Sequence, residues 1–297
     1  MTDALSVAGG VPRGGETAWR RGPVPHELPG AVYRSPLIEA SAERAIYRLA
    51  SVGRFLVAPR EATLVDAAPG ATEEDISCLL RGPVESLRAC LAGDFALRGA
   101  AVQVGGRAVV AFGVATGTSS LAAALAVHGA PLIADGVVPV DPGLPSVHRR
   151  GGGDAHQVTL WPDIVAALGL DHHASKVVRP GLPSRSFVLD PGPGPEEVPI
   201  GALVSIHRDY RLAASGERAV AERAKGPAVV KAILEAQWHH RLVPELGLGS
   251  AQFCWATRLA TAVPAFRVRV APDRPAATLG AAATCVLGLV RHESAVR

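Results

Sequence analysis

Residues Phe112-Gly113-Val114-Ala115-Thr116-Gly117-Thr118-Ser119-Ser120 are the stretch whose types and spacing come closest to chemistry. They follow an apolar run (AVVAF) and precede an Ala/Leu run that closes at Gly129, which predicts a strand, a tight turn and a helix. Such a turn can cradle an anion, because successive backbone N–H groups and the helix N-terminus point into it. A working phosphate loop also needs a lysine ahead of the Ser/Thr pair, to reach the outer phosphates. Thr118 stands in that place. The candidate ligand-binding residues are therefore Gly113, Gly117, Thr118, Ser119 and Ser120, in a loop shaped for phosphate but lacking its principal cation.

Further polar residues fall in segments that would surround this loop. Asp135 lies inside the apolar run PLIADGVVPV, where a desolvated carboxyl could act as a general base. The plainer alternative for Asp135 is a turn cap or an ion pair with Arg98. Arg98 precedes the loop strand, and Arg185 lies in RSFVL; either guanidinium could hold a carboxylate or phosphate through two parallel hydrogen bonds. Gln157 completes the expected lining. Asp135, Arg98 and Arg185 are the catalytic candidates.

Other chemistries find less support. His172-His173 and His239-His240 are adjacent pairs, and neighbouring residues on a helix or strand point to different faces, so neither chelates by itself. Glu235 and His239 are four apart without the HExxH pattern, which leaves a solvated helix face and no expected metal. His207-Arg208-Asp209 reads as a polar turn. No GxSxG elbow is present. Trp161, Trp238 and Trp255 are expected in the core, and the four cysteines, which form no CxxC pair, are expected as buried thiols.

The elements that position these residues follow from pattern. Residues 1–40, rich in Gly, Pro and Arg, are expected to form a flexible or partner-dependent arm. Residues 41–95 read as a small α+β lobe, with strands between Ala45 and Val65, a helix capped by Thr72, and a second helix opened by Pro83 and closed by Gly93. Residues 96–297 form the main domain. Ala96–Val104 and Arg107–Phe112 flank Gly105-Gly106 as a hairpin. Residues 141–157 are expected as a loop. A helix begins near Pro162, Ile200–Ile206 is a strand, residues 226–243 and 250–263 are helical, AFRVRV is a strand, and the last helix runs from 276 to 290.

A hydrophobic content of 48% over 297 residues supports one large domain or two small ones. No apolar run reaches the roughly 18 residues of a membrane span, and the N-terminus does not read as a secretion signal. A cytoplasmic protein with no membrane partner is expected. Net charge is +3, aromatics are 4%, and basic residues are dispersed, so no nucleic-acid partner is expected.

The ordered set GRFLVAP, DISCLLRGP, LRGAAVQVGGRAVV, LIADGVVPV, VTLWPDIVAALGL, PSRSFV and VPIGALVSI…FCWATRLATAVPAFRV resembles the HPr serine kinase/phosphorylase-like family. The likeness runs from about Gly53 to Val270, and is to the short bacterial members found with natural-product and peptide-modification gene clusters. It implies an α/β fold with a phosphoenolpyruvate-carboxykinase-like mixed sheet, a P-loop-like strand–turn–helix and a small N-terminal α+β lobe. In that family the loop holds ATP, an acidic strand binds Mg²⁺ and activates a serine, and a histidine precedes the hairpin. This chain departs at each point. Phe112 and Ala115 replace loop glycines, Thr118 replaces lysine, Arg98 replaces the histidine, Asp135-Gly136 keeps one carboxylate, and Ser184-Arg185 keeps one cation. Phosphoryl transfer depends on positioning and charge, and losing one such group typically raises the barrier by about 3–4 kcal/mol. The expectation is a kinase scaffold without phosphotransfer and without a cofactor, repurposed for acid–base biosynthetic chemistry (cyclisation, elimination or isomerisation). Its substrate would be a small or peptide-derived acidic molecule. A pseudokinase that binds a peptide or partner enzyme, and an atypical kinase using ATP and Mg²⁺, remain as alternatives, and homo-oligomerisation is open.

Overall fold

The computed structural model describes residues 18–113, 117–141, 143–148, 157–179, 181–189, 195–272 and 275–295. Its first unit is a six-stranded sheet of β1 (Trp19–Arg21), β2 (Tyr33–Arg34), β3 (Ile38–Ala40), β4 (Ala45–Leu49), β5 (Gly53–Val57) and β6 (Thr63–Ala67), ordered β1-β6-β5-β4-β3-β2. In β5 the alternation Gly53, Phe55, Val57 points inward, and Phe55 and Val57 are fully buried.

The arm expected over residues 1–40 is corrected from Trp19 onward, because three of these strands lie within it. Strands of two or three residues are too short to show periodicity. Buried Glu39 anchors the segment instead. It accepts the Leu28 N–H at 2.8 Å and pairs with Arg34 and Arg48, each at 2.8 Å. Those bonds, with the Leu28 N–H first, hold its carboxyl below the usual range despite the opposing effect of burial.

Thr72 caps α1 (Glu73–Leu79) through a capping box with Asp75, as its spacing predicts. Pro83 does not open a new helix. A π turn over Leu80–Val84 carries the chain through Pro83 into α2 (Glu85–Leu91), and its wider ring accommodates a residue without an N–H. Buried Arg88 of α2 ties this helix to the sheet by donating to Ala58 O and Glu61 O, each at 2.6 Å, and to the Thr63 hydroxyl.

The central sheet begins with β7 (Ala96–Val104) and β8 (Arg107–Phe112), joined through Gly105 (φ 57°) and Gly106 (φ 79°), both in the left-handed region a tight hairpin requires. The chain continues through α3 (Thr118–Val127), β9 (Leu132–Pro139), β10 (Ser146–His148), β11 (Gln157–Leu160), α4 (Pro162–Ala167), β12 (Ser175–Val177), β13 (Arg185–Val188) and β14 (Glu197–Arg208). It ends with α5 (Tyr210–Ser215), β15 (Ala219–Ala224), α6 (Pro227–Ala236), α7 (Leu242–Glu245), α8 (Gly249–Ala262), β16 (Ala265–Val270) and α9 (Pro275–Ala295). The sheet order is β15-β16-β14-β8-β7-β9, with β10 pairing β14; β14 runs parallel to β8 and β16, and β7 antiparallel to β8 and β9. A three-stranded sheet β11-β13-β12 stands beside it. The architecture is a mixed α/β fold.

Both faces of the central sheet are covered, which is why β8 reads as an unbroken apolar run. Leu97, Ala101, Ala108, Val110 and Leu203 join one buried cluster with the first sheet, α1, α2, α6 and α8. Ala100, Val102, Val109, Ala111 and Val204 face the opposite way into a cluster under α3 and α9.

Several expectations are revised. The loop expected over 141–157 contains β10, and α5, β12 and β15 have no counterpart in the sequence reading. The helix expected over 226–243 stops at Ala236, because Gln237 turns extended to bridge Leu97 and His239 adopts φ 56°. Trp255 is buried as expected, whereas Trp161 is 54% exposed and Trp238 half-buried. Cys90 is buried, but Cys78 and Cys285 are only partly so and Cys254 is exposed. Among the described residues, no helix is long and apolar enough to cross a membrane.

Candidate functional site

The site is built around the end of β8. Gly113 follows the strand and donates its N–H to Arg98 O at 2.9 Å, tying the loop entrance to β7. Val114, Ala115 and Thr116 lie outside the described residues. Gly117, at φ 87°, is the N-cap of α3 and has no side chain to cap with, so the orphan N–H groups of Thr118, Ser119 and Ser120 are not satisfied by a cap side chain. The helix is fixed beneath by Leu121 to Leu125, all buried.

Asp135 lies opposite this turn on β9. Its Oδ1 accepts the Ser119 hydroxyl at 2.7 Å, and its Oδ2 accepts the Thr159 N–H of β11 at 3.3 Å. Burial raises its carboxyl to about 6 against the lowering effect of those bonds and of the Gly136 N–H. A group titrating there can take and return a proton near neutral pH.

Arg98 projects from β7, where it pairs in register with Val137 while Asp135 pairs with Ala100. No ion pair joins Arg98 to Asp135 among the described residues, so the structural-pair alternative is not what the fold contains. The Arg98 guanidinium instead lies 4.0 Å over the Trp238 ring, with its Nε buried and without a hydrogen-bond partner. Desolvation pulls its pKa below the usual arginine value.

Trp238 is the residue that sequence reasoning misses. Its backbone N–H donates to Ala96 O at 3.0 Å, and its indole N–H to Gly136 O at 2.9 Å. It thereby links Arg98 to the strand carrying Asp135. Two neighbours hold the turn. Gln237 is buried and accepts from Gln252 at 2.6 Å. His239 Nε2 donates to Pro83 O at 3.1 Å and lies 3.0 Å from the Ser86 hydroxyl. Burial, reinforced by the Arg98 charge, lowers the His239 pKa to about 4. The only sequence signal is the loss of apolar periodicity after Ala236.

Arg185 and Gln157 belong to the neighbouring three-stranded sheet. The exposed Arg185 donates to Ser175 Oγ at 2.6 Å and lines a cavity of about 520 Å³ with Asp171, His173 and Phe187. Gln157 Oε1 accepts the Ser186 hydroxyl at 2.9 Å. Gly113, Ser119, Asp135 and Arg98 thus gather round β8, β7 and β9, whereas the described hydrogen bonds direct Arg185 to Ser175.

No family model matches the chain, and no curated protein does. Among solved structures it is similar to the Hpr(Ser) kinase/phosphatase from Coxiella burnetii, at 13% identity over 68% of this chain and 96% of that one, with a TM-score of 0.32.

Proposed function

We propose that this protein is an acid–base enzyme acting on an anionic small-molecule or peptide-derived substrate, without phosphoryl transfer. The observation that carries this reading is Asp135, a carboxyl raised to about 6 and hydrogen-bonded to Ser119 in the first turn of α3. The guanidinium of Arg98 and the first-turn N–H groups of α3 hold the substrate anion, and Asp135 removes and returns a proton. Cyclisation, elimination and isomerisation need only those parts. A role in bacterial specialised metabolism follows from the sequence resemblance. Thr118 in the lysine position and a single carboxylate at Asp135-Gly136 speak against a phosphotransferase.

One observation favours a second reading. The hydrogen-bonded pair Ser119–Asp135 matches the Ser/Thr and acid that hold Mg²⁺ in P-loop enzymes, which fits an atypical kinase using ATP.

Calorimetric titration separates the two. Mg·ATP and Mg·ADP are expected to bind more weakly than about 100 μM, roughly −5.5 kcal/mol, with Thr118→Lys as the comparison. A panel of dicarboxylates and acidic peptides is expected to contain ligands that Arg98→Ala loses and Asp135→Asn keeps binding but does not convert. Tight Mg·ATP binding with release of phosphate would overturn the acid–base reading.

A further inference from the structure

We propose that Asp141, His148 and Glu197 form a binding site for a borderline divalent metal ion of the Zn²⁺ type, separate from the Asp135 site. The three residues come from different segments: Asp141 lies just past β9, His148 ends β10, and Glu197 begins β14. Strand pairing brings them together. His148 and Glu197 are direct antiparallel partners, and a bridge between Val140 and Val147, with Asp141 N–H donating to Ser146 O at 3.1 Å, draws in the end of β9. One ligand atom from each residue lies within 4.8 Å of the other two.

Hydrogen bonds orient both carboxylates. Asp141 Oδ1 accepts the N–H groups of Gly143 at 2.6 Å and Leu144 at 3.2 Å, which fixes the carboxylate and leaves Oδ2 facing His148 Nε2 at 3.9 Å. That separation is too long for a hydrogen bond. Glu197 Oε1 accepts the hydroxyl of buried Ser146 at 2.6 Å, which orients the second carboxylate.

The independent observation is the imidazole itself. His148 Nε2 is buried and has no hydrogen-bond partner. A neutral ring with its lone pair on Nε2 has no donor for that lone pair beside the two carboxylates, and a cation would take it. Two ligands about 2.0–2.1 Å from a tetrahedral ion stand about 3.4 Å apart, so the 3.9 Å gap between His148 and Asp141 closes with a small side-chain shift.

The donor set selects the ion. One imidazole and two carboxylates suit Zn²⁺ or its first-row neighbours, whereas Ca²⁺ and Mg²⁺ require more oxygen ligands. Three protein ligands leave a position for water or a ligand oxygen. A cleft of about 240 Å³, lined by Asp141, Pro145, Trp255 and Arg258 among others, opens beside Asp141. The sequence does not advertise the site, because its ligands are joined by strand register and not by a short motif.

The test uses untagged full-length protein stripped with chelator, titrated with Zn²⁺ by calorimetry and with Co²⁺ by visible absorption. One equivalent of each metal is expected to bind, with a Co²⁺ ligand-field band. His148→Ala and Glu197→Gln should each weaken Zn²⁺ binding tenfold or more, while His172→Ala, at an exposed histidine elsewhere, leaves it unchanged. Glu197 is exposed, so its variant keeps the test decisive should His148→Ala fail to fold. Absence of saturable one-equivalent uptake, binding that survives Glu197→Gln, or equal affinity for Ca²⁺ would overturn the proposal.

Discussion

The Ser119 hydroxyl donates to Asp135 Oδ1 at 2.7 Å, joining the first turn of α3 to the middle of β9 across 16 residues of sequence. The bond lowers the Asp135 pKa, yet burial outweighs it and the carboxyl rises to about 6 from an ordinary 3.8. For a raised carboxyl, the stabilising contribution is fully present below the unfolded-state value of 3.8 and is lost as pH rises through about 6. Asp135→Asn removes that dependence and keeps an acceptor for the Thr159 N–H. The variant is therefore expected to exceed the wild type in stability at pH 8, by roughly 2–3 kcal/mol at most, and to match it near pH 3.5. Urea unfolding at the two pH values checks this; an equal difference at both would show that burial does not control the carboxyl.

Trp238 stacks on Arg98 and donates to Gly136 O, so its two roles can be separated. Trp238→Phe keeps a ring under the guanidinium and loses the hydrogen bond, at a cost of about 1 kcal/mol. Trp238→Ala loses both. A double-mutant cycle with Arg98→Ala is expected to give a coupling of about 0.5–2 kcal/mol in denaturant unfolding. Additive effects would mean the stacked arrangement contributes nothing.

What the sequence makes legible is what local chemistry decides. Gly105-Gly106 marks the β7–β8 hairpin, Thr72 with Asp75 marks the start of α1, and the apolar run before Gly113 marks β8. Asp135 and Ser119 follow from the order of strand, turn and helix. Trp238 is not legible, because its turn is set by pairing with β7, some 140 positions earlier in the chain. The partner of Arg185 is hidden for a similar reason: its neighbour Ser184 says nothing about Ser175, which its guanidinium meets across two antiparallel strands. The Glu39 anchor fails to show itself because a buried carboxylate has the same letter as an exposed one.

His239 titrates in the opposite sense to Asp135. Its pKa is lowered from 6.5 to about 4, chiefly by burial, so its contribution is present above 6.5 and is lost as pH falls through about 4. His239→Asn tolerates the φ of 56° and cannot take up a proton there. The variant is expected to be less stable than wild type at pH 7.5, through loss of the Pro83 contact, and to close much of that gap by pH 4. Parallel melting curves across this range would contradict a buried neutral imidazole.

Gly99 sets the distance between β7 and β8 next to Arg98. A Cβ there would meet Ala111 O at 2.1 Å and Phe112 Cα at 2.9 Å, both backbone atoms that cannot move without parting the strands. Parting them would also break the bond from Gly113 N–H to Arg98 O that holds the loop entrance. Gly22, just past β1, offers the control. Its added Cβ meets only Leu64 Cδ2, at 3.3 Å, the far end of a side chain that can turn aside. Gly99→Ala is therefore expected to lose about 3 kcal/mol or more by overpacking against backbone, and Gly22→Ala about 1 kcal/mol or less. Chemical denaturation of the pair decides it: equal losses would show that β7 and β8 can separate freely, and the site would then lack the rigid floor that the positions of Arg98 and Asp135 require.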